Sequence, residues 1–389
     1  MSTPPAPTRP KVRSGQHQGT EIVCWSDAEE ALATGLSGVL DEHGKADPKA
    51  VLAMDKATHL RLLEGMWHSC LLDDRLMALQ RQGRVSHYFE ARGQEAAVIA
   101  AAAALSPTDY FVPGLREGAA ILFRGMPLAK YLAQILGTTR DTARGRQMPC
   151  HASSKAIRHI STSSCVATQI PHAVGLAWAA KIRKEPIITM CFFGDGATSE
   201  DDFHAGMNFA AVQKVPVVFV CQNNQWAIST PVSGQTQSQT LALKGLTYGL
   251  RSLRVDGNDI LGLYATLKQA VADAREGKGP TFIESVTYRV GAHASADEPS
   301  LYRDEEETRL WQAKCPIARY ATWLAENKIV SKSEQDALVG RLTTAIDAAI
   351  ASEESAGPPP IASMFDDVCA TKPWHLEEQK AELLRQRTR

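Results

Sequence analysis

With 389 residues, 44% of them hydrophobic and 22% charged, the chain is long enough to bury a large core and has the make-up of an ordinary globular protein. Its formal net charge of -1 gives no electrostatic case for nucleic acid or an acidic membrane surface, which leaves proteins and small molecules as the expected partners. Eight scattered cysteines form no Cys-x-x-Cys pair and read as small buried hydrophobes in a reducing compartment, and the longest apolar run, 96–105, is too short to cross a bilayer.

Residues 1–46 are rich in proline, glycine and polar residues, with one weak helical patch at 28–34, and read as an irregular N-terminal segment. Arg9, Lys11 and Arg13 precede the first acid, Glu21, a pattern shared by transit peptides and by plain disordered tails. A long helical pattern follows from Asp47 to Gly83, then a second, Ala-rich one at 95–105. The stretch 109–117 interrupts them with a short extended piece and a turn that presents Arg116. The planar guanidinium fork suits a carboxylate or phosphate; a surface salt bridge is the competing reading. After a basic loop at 144–155, a Ser/Thr-rich segment leads into a helix starting near Thr168. Ser163, Ser164, Thr168 and Gln169 thus gather oxygens at a helix start, where ordinary N-capping needs only one of them.

The centre of the chain is an apolar run at 186–193, a Gly194-Asp195-Gly196 turn, a helical pattern at 202–213, a second apolar run at 216–221 and then Asn223-Asn224. This is a strand–helix–strand unit of a parallel sheet, so Asp195 and Asn224 emerge together at the carboxyl edge, where such sheets bind ligands. A carboxylate, a carboxamide and irregular backbone are hard oxygen donors, which suit magnesium held together with substrate phosphates. Gly194 and Gly196 let the backbone approach closely, and the N–H groups opening the next helix favour an anion. A nicotinamide fingerprint fails because Ser199 stands where its third glycine belongs, and no Walker-type loop occurs. Downstream, 252–255 reads as a strand, 260–275 as a helix and 281–288 as a strand, which brings Arg289 and His293 to the same edge. His151, His159, His172 and His204 compete with His293 for a chemical role, and most lone histidines have none. Residues 291–303 read as a loop, 305–350 as helical, 354–360 as a Pro-rich connector and 365–389 as ending in a charged helix. The sheet-forming region spans roughly 160–290, inside an α/β domain at 47–330 that carries N-terminal helices, with a helical extension at 331–389.

At GDG, some thirty residues and then NN, the chain resembles thiamine diphosphate enzymes. The segments GRQMPCH (145–151), SSCVATQIPHAVG (163–175), GDGATSEDDFHAGMNFAA (194–211), NNQWAISTP (223–231), LRVDGND (253–259) and YRVGAHASADEPSLYR (288–303) are similar to the alpha subunits of branched-chain 2-oxo acid dehydrogenases, in that family's order and spacing. The resemblance covers roughly Asp47 to the C-terminus. It implies the thiamine diphosphate-binding fold, a mainly parallel sheet flanked by helices. It also implies the decarboxylating first component of a 2-oxo acid dehydrogenase complex, which passes the acyl group to a lipoyl arm. By resemblance Asp195, Asn224 and the Trp226 carbonyl hold magnesium; Gly194, Gly196, Ala197, Arg116 and His293 face the diphosphate; and Ser164 and Val166 contact the aminopyrimidine. His293 is the implied catalytic residue, and Ser163, Cys165, Thr168 and Gln169 correspond to a potassium site. Gln222 replaces an arginine of the animal enzymes, Gly114 and Leu115 replace a glutamine and a tyrosine, and Ala294 replaces a serine that is phosphorylated in them. Implied partners are a beta subunit in a two-alpha, two-beta assembly, a lipoyl-bearing acyltransferase component and a 2-oxo acid. The implied setting is the cytoplasm of a bacterium or the matrix of a mitochondrion. A pyruvate or acetoin dehydrogenase alpha subunit, and a non-catalytic subunit keeping the fold, are the alternatives.

Overall fold

The computed structural model describes residues 25–387 apart from Val368, so the basic stretch with Arg9, Lys11 and Arg13 lies outside the described residues. The strands in chain order are β1 (Tyr110–Val112), β2 (Thr189–Gly194), β3 (Val217–Asn223), β4 (Trp226–Ala227), β5 (Thr230–Pro231), β6 (Arg251–Asp256) and β7 (Thr281–Val286). Five of them form one parallel sheet in the order β1-β2-β3-β7-β6, while β4 and β5 make a small antiparallel hairpin. The architecture is α/β, with helices on both faces of the sheet.

Side chains alternate across a strand, and here both sets are buried. Met190, Phe192, Val218, Val220 and Ile283 join a core under the Glu95–Ala104 and Ile260–Arg275 helices. Cys191, Phe193, Phe219, Cys221 and Phe282 join another under the Gln169–Arg183 and Asp201–Gln213 helices. Each such side chain gains about 1.5–3 kcal/mol on burial, so the sheet is stable only when covered on both sides, which is why its strands are unbroken apolar runs rather than alternating ones.

One sequence reading needs correction and two gain detail. The sheet begins at β1, well before residue 160, because Tyr110–Val112 pairs in register with Thr189–Cys191. The helical patch read at 28–34 is present as the Asp27–Thr34 helix, closed by a Ser26–Glu29 capping box, and the residues after it are packed against the domain: Ser37 bridges to Val255, and buried Asp259 accepts the backbone N–H groups of Val39 and Leu40 at 2.5 and 3.0 Å. The stretch 305–350 is helical as read, in three helices, Glu305–Gln312, Pro316–Glu326 and Lys332–Ala356, interrupted before Pro316 and at Lys328, whose φ is 57°. Seven cysteines among the described residues are free thiols, and no helix there is long and apolar enough to cross a membrane.

Candidate active site

The β2–β3 register places Gly194 opposite Gln222, so Asp195 and Asn224 leave the sheet side by side. Beyond β7 the backbone continues along them, with Thr287 N–H donating to Asn223 O and Arg289 N–H to Asn224 O, which carries residues 289–293 to the same edge. They meet over a cavity of about 400 Å³ lined by these strand ends, by Phe89, Gln94, Arg116 and Glu117 from the helical side, and by Ser163, Ser164, Val166 and Gln169.

Asp195 is buried, and burial pushes its carboxyl up; its Oδ2 accepts from Gln235 Nε2 at 3.0 Å. Asn224 Nδ2 donates to Gln94 Oε1 at 3.2 Å, while its Oδ1 accepts from Trp226 N at 3.3 Å. The Trp226 carbonyl already accepts from Arg289 Nη1 at 2.9 Å, a contact the sequence did not announce, though a carbonyl oxygen keeps a second lone pair. Arg289, wholly buried, also donates to Ile228 O and to the Tyr302 hydroxyl, both at 2.7 Å.

Arg116 is buried and makes none of the surface salt-bridge contacts that competed for it. It donates to Glu90 O at 2.8 Å and to His293 O at 2.7 Å, and its Nη2 lies 3.0 Å from His293 Nδ1. Guanidinium is a donor only, so Nδ1 accepts and a neutral His293 carries its proton on Nε2. Burial first, then the positive charges of Arg116 and Arg289, holds the imidazole down at about 3. Behind this pair, buried Glu117 accepts the Arg116 N–H at 3.2 Å, and burial pushes its carboxyl up to about 7.

The residues fit a magnesium diphosphate. Buried polar atoms nearly always find partners, yet Gln94 Nε2, Gln169 Oε1, Gln222 Nε2 and Trp226 Nε1 have none among the described residues, and all four residues line this one cavity. A side chain at Gly194 would meet nothing within 4 Å, which leaves that backbone bare toward the cavity, whereas one at Gly196 would place its Cβ 2.7 Å from Ala227 Cβ. Asp195 brings a carboxylate next to the carboxamide of Asn224 and the carbonyl of Trp226, a hard oxygen set that suits magnesium held with phosphate. Beside it, Ser163 Oγ and Thr168 Oγ1 are 3.0 Å apart, Thr168 donates to Cys165 O at 3.0 Å, and the Gln169 oxygen is unpaired. Thr168 makes no side-chain cap bond, so N-capping does not account for the cluster.

The rival histidines fall away. His159 is stacked on Phe111 in the core, and His204 bonds Tyr248, both outside the cavity lining, while His172 is exposed on its helix. His151 is the exception, because its Nε2 lies 2.6 Å from Ser164 Oγ on the cavity wall. Gln94, Glu117, Gln235 and Phe89 are site residues that sequence reasoning missed. They are common side chains at loop and helix ends, with no local pattern to mark them.

A family model described as "Dehydrogenase E1 component" matches residues 66–362. Among curated proteins, the chain is 40% identical over 344 residues to "2-oxoisovalerate dehydrogenase subunit alpha 1, mitochondrial" of Arabidopsis thaliana, covering 88% of this chain and 73% of that protein. It is 36% identical to the human "2-oxoisovalerate dehydrogenase subunit alpha, mitochondrial" over 89% of this chain and 78% of that one. It is also 44% identical to "3-methyl-2-oxobutanoate dehydrogenase subunit alpha" of Mycobacterium tuberculosis over 69% and 71% of the two chains.

Proposed function

Because the chain belongs to the dehydrogenase E1 component family, we propose that it is the alpha subunit of a thiamine diphosphate-dependent branched-chain 2-oxo acid dehydrogenase, decarboxylating a 2-oxo acid and passing the acyl group to a lipoyl-bearing acyltransferase. The observation that carries this reading is the convergence of Asp195, Asn224 and the Trp226 carbonyl with the Arg116–His293 pair around one cavity. When bound, thiamine diphosphate supplies the carbon nucleophile and the electron sink that decarboxylation needs. The chain's own residues bind and time. Asp195, Asn224 and Trp226 O hold magnesium, and the backbone at Gly194 and Gly196, with Ala197 and Arg116, faces the diphosphate. Ser164 and Val166 meet the aminopyrimidine edge, and Ser163, Cys165, Thr168 and Gln169 offer oxygens to a potassium ion that steadies their loop.

His293 holds a movable proton. Burial and the Arg116 and Arg289 charges keep the ring neutral, and an anion beside it would favour the charged form, so His293 would hold a proton more tightly next to a diphosphate. The described residues contain one parallel sheet and a two-stranded hairpin, so a beta subunit would have to supply the second α/β domain and the carboxyl group that works the aminopyrimidine.

The test is turnover of the chain, alone and assembled with its beta subunit, over a panel of 2-oxo acids with an artificial electron acceptor. The assembled enzyme should favour 3-methyl-2-oxobutanoate and its branched relatives, and the isolated chain should be inactive. A preference for pyruvate would sink the branched-chain assignment, and turnover by the isolated chain would sink the divided site.

Regulation should also differ from enzymes that carry a serine after the histidine. Ala294 has no hydroxyl, and the adjacent Ser295 is held to Tyr88 through its backbone N–H at 3.1 Å and through its Oγ, which accepts the Tyr88 N–H at 3.3 Å. Incubation with a kinase of this family and ATP should leave activity unchanged, whereas an Ala294→Ser variant should become inactivated as phosphate adds charge and bulk. Inactivation of the wild type that tracks phosphate on Ser295, mapped by mass spectrometry, would reverse this expectation.

A further inference from the structure

We propose that Gln94 is a positioning residue of the metal site, whose side-chain oxygen turns Asn224 so that Asn224 presents oxygen, not nitrogen, to the cation. This deepens the magnesium reading above and rests on it. Gln94 occupies the N-cap position of the Glu95–Ala104 helix but makes no side-chain cap bond, and it is wholly buried. Its carboxamide is therefore not spent on the helix. Its Oε1 accepts from Asn224 Nδ2 at 3.2 Å and its Nε2 has no partner among the described residues, so the Asn224 amide is held from its nitrogen end by Gln94 and from its oxygen end by the Trp226 N–H.

The orientation matters because a carboxamide has an acceptor at one end and donors at the other. Rotated by half a turn, Asn224 would aim its NH2 at the Trp226 N–H that its Oδ1 now accepts, and at the cation, with repulsion from both. With Gln94 in place, the nitrogen is engaged on the far side and the oxygen is left facing the Trp226 side. The corner that delivers Gln94 is fixed as well. Gly93 has φ 89°, and a Cβ there would lie 2.5 Å from Tyr288 O, so the chain is pressed against the continuation of β7 that also carries Arg289 and His293. One packed corner thus ties the start of a helix to Asn224, the residue just past the end of β3.

Three variants of the chain assembled with its beta subunit separate orientation from other effects, with Mn2+ as the probe, titrated in the presence of thiamine diphosphate and followed by the paramagnetic signal of the free ion. Gln94→Met keeps the length but neither accepts nor donates, and should weaken Mn2+ binding by about 10- to 100-fold, the usual effect of losing an outer partner of a ligand. Gln94→Glu can only accept, so it should bind Mn2+ within about threefold of wild type or more tightly. In an Asn224→Asp background, where oxygen stands at both ends of the ligand, adding Gln94→Met should cost almost nothing further. Melting temperatures establish that each protein is folded, and should Gln94→Met fail to fold, the Gln94→Glu comparison decides. Wild-type affinity in Gln94→Met, or a loss in Gln94→Glu as large as in Gln94→Met, would overturn the proposal while leaving the magnesium site standing. If the wild type itself takes up no Mn2+ with thiamine diphosphate, the metal-site reading fails and this inference goes with it.

Discussion

Replacing His293 with alanine should lower turnover of the assembled enzyme by about two to four orders of magnitude, the scale of a positioned acid–base group. Folding should change little, because the bond from Arg116 to the backbone carbonyl of residue 293, at 2.7 Å, survives the substitution, and what is lost is the 3.0 Å contact to Nδ1 and the edge-on packing of the ring against Phe89. The pH dependence of stability gives a second readout. In the unfolded chain this ring titrates near 6.5, and in the fold at about 3. Between those values the unfolded state binds a proton that the folded state does not, so the wild type loses stability as pH falls through 6.5 toward 3. His293→Ala lacks that proton and should lose less over the same interval, closing on or passing the wild type in acid denaturation. Diphosphate with magnesium should weaken the contrast by raising the folded value. A variant that retains most of its turnover would reduce His293 to a structural residue, and one with the same acid profile as wild type would contradict the depressed titration.

How much of this was legible in the sequence depended on how far apart the interacting residues are. β2, β3 and β7 are covered on both faces, so their residues form uninterrupted apolar runs that mark a buried strand directly. The Asp201–Gln213 and Ile260–Arg275 helices show the corresponding periodicity. β1 escaped as a sheet member because three residues carry little pattern and their partner lies 79 positions on, Tyr110 facing Thr189. The docking of residues 27–46 escaped for the same reason, since it depends on Asp259, more than two hundred residues away. Lys328 interrupts the late helices through a left-handed conformation that lysine seldom adopts and no composition rule flags.

The site divides along the same line. Asp195 and Asn224 could be placed together because parallel strands of one unit end at one edge, a local inference. Arg116 and His293 came together 177 residues apart, and the sequence supplied only their suitability, not the 3.0 Å between them. The groups that bond Asn224, Asp195 and the Trp226 carbonyl, Gln94, Gln235 and Arg289, are spread over three distant segments. Their chemistry is legible only once Asn224, Asp195 and the Trp226 carbonyl are seen to need partners.

The Asp195→Ala exchange should remove magnesium-dependent binding of thiamine diphosphate while leaving the fold intact or slightly more stable. Asp195 is 2% exposed, and burial raises its carboxyl by more than the Gln235 amide, the nearby backbone N–H groups and the charge of Arg289 lower it. A buried charge without a full counter-ion costs stability that alanine does not have to bear. The same charge is what a divalent cation gains from. Removing one partner of a buried ion pair costs about 3–5 kcal/mol, so cofactor affinity measured by calorimetry of the assembled enzyme should fall by about two to four orders of magnitude. Asp195→Asn keeps the volume and one oxygen but not the charge, and should fall between alanine and wild type. Affinity close to wild type in Asp195→Ala would remove Asp195 from the metal site. A collapse of melting temperature in Asp195→Asn, in which Oδ1 can still accept from Gln235, would instead mean that the carboxylate serves the turn after β2 and that its role toward the cation had been misread.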